Sequence, residues 1–196
     1  MSQKPRRPNI RSPQKPKPRA IVAIDPGTTT GIAVYWIRTR AGHRVPRERA
    51  IEVFQFGSSD TEHRLMARKL RSLSPIANPA IIVYEQYIAR PSRHGLVGAE
   101  AQKALSPVFI HGYVVGLMES IRNPLQMPAF HPQQASEMAN FPDKRLKAMF
   151  PNLYALTLRP AKPHARDALR HLLTYLKRHH FDAYQALKPP QTETAD

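Results

Sequence analysis

The stretch Ala20–Tyr35, AIVAIDPGTTTGIAVY, restricts this chain to few folds. The apolar run Ile21-Val22-Ala23-Ile24 ends in a single acid, Asp25. Pro26-Gly27 then forces a turn, Thr28 to Gly31 keeps it tight, and a second apolar run, Ile32 to Ile37, leaves. The pattern predicts a β-hairpin with a carboxylate at the tip of its buried first strand. An unpaired carboxylate is costly to bury. Asp25 therefore calls for a partner, and a cation answers most simply.

The rest of the chain extends this start into a mixed sheet. Ile51, Val53, Phe54 and Phe56 predict a third strand, completing three antiparallel ones. Leu65, Met66, Lys69, Leu70 and Leu73 recur at helical spacing, which predicts a helix over 61–73 capped by Asp60 or Thr61 and ended by Ser74-Pro75. Ala80-Ile81-Ile82-Val83-Tyr84 is an uninterrupted apolar run ending in Glu85. Such a run marks a strand buried on both faces. A helical crossover makes it parallel to the first strand, so Asp25 and Glu85 should share one edge of the sheet, where α/β sheets bind ligands.

Further on, Ala99–Arg122 reads as mostly helical, with Gly112 and Gly116 one turn apart to allow close packing. Leu125–Phe130 suggests another short strand, and Gln133–Ala139 and Lys144–Phe150 short helical pieces. A last helix spans about His164–His179. Its apolar stripe is Ala165, Ala168, Leu169, Leu172, Leu173 and Leu176, and His164, Asp167 and His171 lie together on the flank of that stripe. The expected organisation is a basic arm at 1–19, one α/β domain at 20–180 and a tail at 181–196.

Charge points to the partner. Thirty Lys+Arg face fourteen Asp+Glu, a net charge of +16. Residues 1–19 hold seven of the basic residues, five prolines and no acid, so the body keeps 23 basic against 14 acidic residues. A chain so basic suits a polyanion, most often nucleic acid. The proline-dense arm has too few apolar residues to form a core and is expected to be disordered, serving to grasp phosphates or to solubilise. With no cysteine, disulfides, thiolate metal sites and thiol nucleophiles are excluded. No apolar run reaches the ~18 residues of a membrane span, and no signal peptide is evident, so a soluble cytoplasmic protein is expected.

Three of the fourteen acids stand apart. Asp25 and Glu85 end apolar strands, and Asp167 borders the buried face of a helix. Oxygen ligands with an added His suit Mg²⁺ or Mn²⁺. Two such ions about 4 Å apart can activate a water and stabilise the leaving oxygen in phosphodiester cleavage. The plainer alternative is that each acid is separately a cap or an ion pair.

Asp25-Pro26-Gly27 with Thr30-Gly31, then Tyr84-Glu85-Gln86, then His164-Ala165-Arg166-Asp167-Ala168, in this order, resemble the motifs of RuvC-type Holliday-junction resolvases of the RNase H-like superfamily. The resemblance runs from about Ala20 to His179. It implies an RNase H-like α/β fold, a mixed sheet of three antiparallel then parallel strands flanked by helices. It also implies a homodimeric nuclease using two Mg²⁺ (or Mn²⁺) ions to nick four-way DNA junctions symmetrically. Asp25, Glu85, His164 and Asp167 would be the catalytic and metal-binding set, with His164 standing where an acid is common and acting as ligand or base. Tyr87 or Ile88 would probe the junction centre. Arg90 and Arg93 in the next loop, and Lys144 beside Asp143, would meet DNA. The first loop, DPG-x-x-T-G, is one residue shorter than in the common bacterial form. With the arm and the Arg/His-rich loop it more resembles phage-encoded variants, which implies a broader specificity for branched DNA and a setting in the host cytoplasm.

Three other readings share parts of these motifs. A sugar kinase or actin-like ATPase has a similar first loop but needs a second glycine-rich phosphate hairpin, which is missing here. A related fold could bind nucleic acid without cutting, or act on ribosomal RNA. Removing residues 1–19 should weaken DNA binding uniformly across sequences and reduce its salt dependence. Binding titrations over a range of salt concentrations check this, and an unchanged slope would make the arm a bystander.

Overall fold

The structure is a computed structural model, and it describes residues 20–27, 29–37, 43, 45–46, 49–77, 80–85, 112, 116, 129–158 and 162–189. The arm at 1–19 and the loop with Tyr87, Arg90 and Arg93 lie outside the described residues.

Strands β1 (Ala20–Asp25), β2 (Thr30–Trp36) and β3 (Ile51–Phe56) form an antiparallel meander. Helix α1 (Asp60–Ala77) crosses to β4 (Ala80–Glu85), parallel to β1, and β5 (Ala129–Gln133) lies parallel to β4. The five-stranded mixed sheet has the order β3-β2-β1-β4-β5. A 3-10 turn at Ala135–Asn140, α2 (Asp143–Met149) and α3 (Pro151–Ala155) lead to the long helix α4 (Pro163–His179) and the short α5 (Phe181–Ala186).

The period-two alternation of strands divides the core in two. Ile21, Ala23, Ala33 and Val83 face α4, meeting Ala168, Leu169, Leu172, Leu173 and Leu176. Val22, Ile24, Ile32, Val34 and Ile82 face the other way, onto Met66, Leu70 and Leu73 of α1. The predicted stripe of the last helix is buried along its whole length. Each buried leucine there stabilises the fold by about 1.5–3 kcal/mol. Among the described residues, no helix is long and apolar enough to cross a membrane.

Several expectations need correction. Helix α1 is capped by Ser59, whose Oγ accepts from the Glu62 N–H at 3.3 Å, and it runs past Pro75 to Ala77. A proline in the last turn removes one helical hydrogen bond, too little to stop a helix packed on a sheet. Of the strand expected at Leu125–Phe130, residues 125–128 lie outside the described residues, and the strand at Ala129–Phe130 continues to Gln133. Pro132 within it argues against a strand, but β5 is at the sheet edge, where a missing donor is tolerated. The tail assigned from residue 181 begins with α5, whose Tyr184 is buried against Phe141 and Phe150 with ring centroids 6.1 and 5.5 Å away. Gly112 and Gly116 are exposed, and among the described residues a methyl group built on either meets no atom within 4 Å; the rest of the helix expected at Ala99–Arg122 lies outside the described residues.

Gly31 is where close packing does occur. A Cβ there would lie 1.9 Å from the carbonyl oxygen of His164 and 2.6 Å from the Ala165 nitrogen. The start of α4 thus rests directly on the backbone of β2. Gly31→Ala should destabilise the fold by at least the ~1–3 kcal/mol typical of overpacking. Gly112→Ala, on an exposed helical position, should be neutral or stabilising by up to about 1 kcal/mol. Urea denaturation of the two variants gives the comparison.

Candidate metal centre

Five residues, one from each strand, form a polar row across the end of the sheet beneath α4. Asp25 closes β1 and pairs with Gly31 of β2, which pairs with Gln55 of β3. Glu85 closes β4, one step past the Ile24–Tyr84 pair, and stands opposite Gln133 of β5. Alternation puts the row on the same face as Ile21, Ala23 and Val83, so it points toward α4.

Helix α4 answers this row along its length. Pro163 opens its first turn, a position where a missing N–H is harmless. Gln55 Oε1 accepts from the His164 N–H at 3.0 Å and the Ala165 N–H at 3.4 Å, satisfying two of the helix's free donors from another strand. His164 Nδ1 lies 2.9 Å from Asp25 Oδ2. Asp167, one turn on, is close enough to Asp25 to disfavour its ionisation. His171, another turn on, has Nε2 3.4 Å from Glu85 Oε2 and Nδ1 2.8 Å from Gln133 Oε1. The spacing 164, 167, 171 keeps all three on one flank. The site is sealed at one end, where Asp25, His171 and Gln133 are buried, and opens where His164 and Asp167 are partly exposed.

The electrostatics follow from that packing. Burial, then the hydrogen bond and charge of Glu85, then the charge of Asp167, push the Asp25 carboxyl from 3.8 up to about 8. Glu85 is held below the usual carboxylate range, first by its hydrogen bond with His171. The pair is best described as two carboxyls sharing a proton that stays on Asp25. Two groups of donor atoms, each within 4.8 Å of one another, share Asp25: one with His164 and Asp167, the other with Glu85 and His171. Each group offers carboxylate oxygens and one imidazole, a donor set that could hold a metal ion. The proton held by Asp25 marks the charge that a cation would neutralise.

The structure brings together Asp25, Glu85, His164 and Asp167, four residues expected to meet. Lys144 is exposed in the first turn of α2. Its neighbour Asp143 ties α2 to α4, pairing with Arg166 at 2.8 Å and with Arg170, which also pairs with Asp167. Sequence reasoning assigned no role at the site to Gln55, Gln133 and His171, and read Gly31 only as a turn residue. His171 had a signal, its place on the flank with His164 and Asp167. Neither glutamine had one, since each matters only through its register in the sheet.

The proton on Asp25 makes stability depend on pH. The folded chain holds it across a range in which the unfolded chain, near 3.8, has released it. The contribution is therefore complete below about pH 4 and is lost as pH rises through about 8. Glu85 acts in the opposite direction through its lowered value. In cation-free buffer the thermal midpoint should fall between about pH 5 and 8, and Asp25→Asn should flatten that slope and be the more stable protein at pH 8. Thermal unfolding followed by circular dichroism checks both.

No protein-family model matches the chain, and no curated protein matches it at a significant level. The functional reading therefore rests on the convergence of Asp25, Glu85, His164 and Asp167 beneath α4.

Proposed function

We propose that this chain is a divalent-metal-dependent endonuclease with an RNase H-like fold, acting on branched DNA and resolving four-way junctions by paired nicks as a homodimer. One observation carries the reading: carboxylates from β1, β4 and α4 converge so that Asp25 belongs to two overlapping donor groups. The strand order β3-β2-β1-β4-β5 and the three motifs that resemble RuvC-type resolvases support it. The surplus of 16 positive charges supplies the attraction for a phosphate backbone.

Asp25 would hold both ions, Asp167 and His164 the one toward solvent, and Glu85 the one toward the buried end. Two bound ions would supply an activated water and neutralisation of the leaving oxygen. The chain's own residues do the rest. The sheet fixes Asp25 and Glu85 side by side, so the scissile phosphate must approach from the open side, past His164 and Asp167. His164, with Nδ1 toward Asp25, lines that opening and would serve as a ligand there. Arg170 steadies the Asp167 carboxylate. Lys144, carried by a helix anchored to α4, would meet a phosphate of the same DNA, and Tyr87, Arg90 and Arg93 would add further contacts.

Cleavage of a labelled four-way junction should need Mg²⁺ or Mn²⁺ and should exceed cleavage of a linear duplex of equal length. Asp25→Asn should lower it by more than the roughly 100-fold that changes around a metal ligand cost, while junction binding in a gel shift survives. Undiminished cutting by this variant would remove Asp25 from the chemistry. Lys144→Ala should weaken binding and lower its salt slope by about one.

A further inference from the structure

His171 and Gln133 form a pair that apolar packing does not explain. Both are buried, at 0% and 1% exposure, beside the mainly apolar residues packed between α4 and the sheet. Gln133 Oε1 lies 2.8 Å from His171 Nδ1, while Gln133 Nε2 is buried with no hydrogen-bond partner. Leaving a buried amide N–H group unpartnered is costly. A leucine at 133 and another at 171 would avoid that cost. The arrangement does accomplish one thing. Where Gln133 Oε1 accepts from the Nδ1–H, Nε2 is the nitrogen turned toward Glu85 and Asp25, and a cation bound there would replace its hydrogen bond to Glu85.

We infer that His171 is a nitrogen ligand of the metal centre, positioned by Gln133, so that each ion position holds one imidazole and the centre favours Mn²⁺ over Mg²⁺. The inference rests on the metal-dependent reading above and extends it to the buried position. A histidine that ligates a metal commonly donates its other N–H to a fixed acceptor, and loss of that acceptor costs 10–100-fold in affinity. Imidazole donors favour transition ions over Mg²⁺, which prefers oxygen and retained water. Gln133 touches no reacting atom in this scheme and acts through His171 alone.

The test uses the full chain with the metal alone. Mn²⁺ is titrated by calorimetry, and its bound form is read by pulsed electron paramagnetic resonance, which counts coupled imidazole nitrogens. Wild type should show two such nitrogens. His164→Asn, at the partly exposed position, should keep one. Gln133→Met should weaken the second Mn²⁺ by about 10–100-fold and remove the His171 coupling, with Mg²⁺ affinity changed less. Gln133→Glu, which can only accept, should restore both. If His164→Asn shows no coupled nitrogen while Asp25→Asn abolishes Mn²⁺ binding, the metal centre stands and His171 is not its ligand. If Gln133→Glu fails as Gln133→Met does while His164→Asn keeps its nitrogen, positioning by an acceptor is overturned. If wild type binds no Mn²⁺, the metal reading and this inference fall together. The His164→Asn result stands even if a Gln133 variant fails to fold.

Discussion

The contact between Gly31 and the first turn of α4 governs the architecture of the site. A helix normally stands off a sheet by the length of its side chains. Here the His164 carbonyl sits where a side chain of residue 31 would be. Only a residue without a Cβ permits that, and the approach lowers the polar flank of α4 onto the last row of the sheet. Gln55, next to Gly31 in register, receives the helix's first N–H groups. Asp25, on the other side of Gly31, meets His164. The glycine thus sets both the height and the phase of α4, and Asp167 and His171 follow by helical geometry.

Such a site opposes the stability of the fold that carries it. Hydrophobic layers on both faces of the sheet hold β1 and β4 rigidly side by side, and the same rigidity prevents Asp25 and Glu85 from separating. Without a cation, the chain relieves this by keeping a proton on Asp25, by setting His171 against Glu85 and by pairing Arg170 with Asp167. Each offsets part of the repulsion between the carboxylates. The proposed function gives this tension a purpose: strand ends that cannot move apart hold their carboxylates ready for ions and need no rearrangement when DNA arrives.

The arginines of α4 extend the same logic outward. Asp143 pairs with both Arg166 and Arg170, and Arg170 pairs in turn with Asp167. The element bearing Lys144 is therefore linked through two ion pairs to a residue of the site. The buried end is linked differently, by the hydrogen bonds of His171 to Gln133 and Glu85. Solvent screens the outer pairs, while burial makes the inner ones sensitive to any change of partner.

Much of this was legible in the residues. Apolar runs ending in Asp25 and Glu85, and the stripe of α4 with its polar flank, depend on local periodicity, which sequence records directly. The places where reading failed depend on position in the fold. Pro132 obscured β5 because its tolerance comes from lying at the sheet edge. Pro75 appeared to end α1 because its cost was judged without the sheet that α1 covers. Gly112 and Gly116 resembled packing residues, yet among the described residues a Cβ on either meets open space, whereas Gly31 resembled a turn residue and bears a contact that a Cβ would fill. By itself the sequence determined the strands, the long helix and which carboxylates end up among apolar neighbours, since alternation and helical repeat are properties of adjacent residues. Only the tertiary structure decided that Gln55, Gly31, Asp25, Glu85 and Gln133 stand in one row and that His171 joins them, because strand register and helix height are set by contacts between segments far apart in the chain.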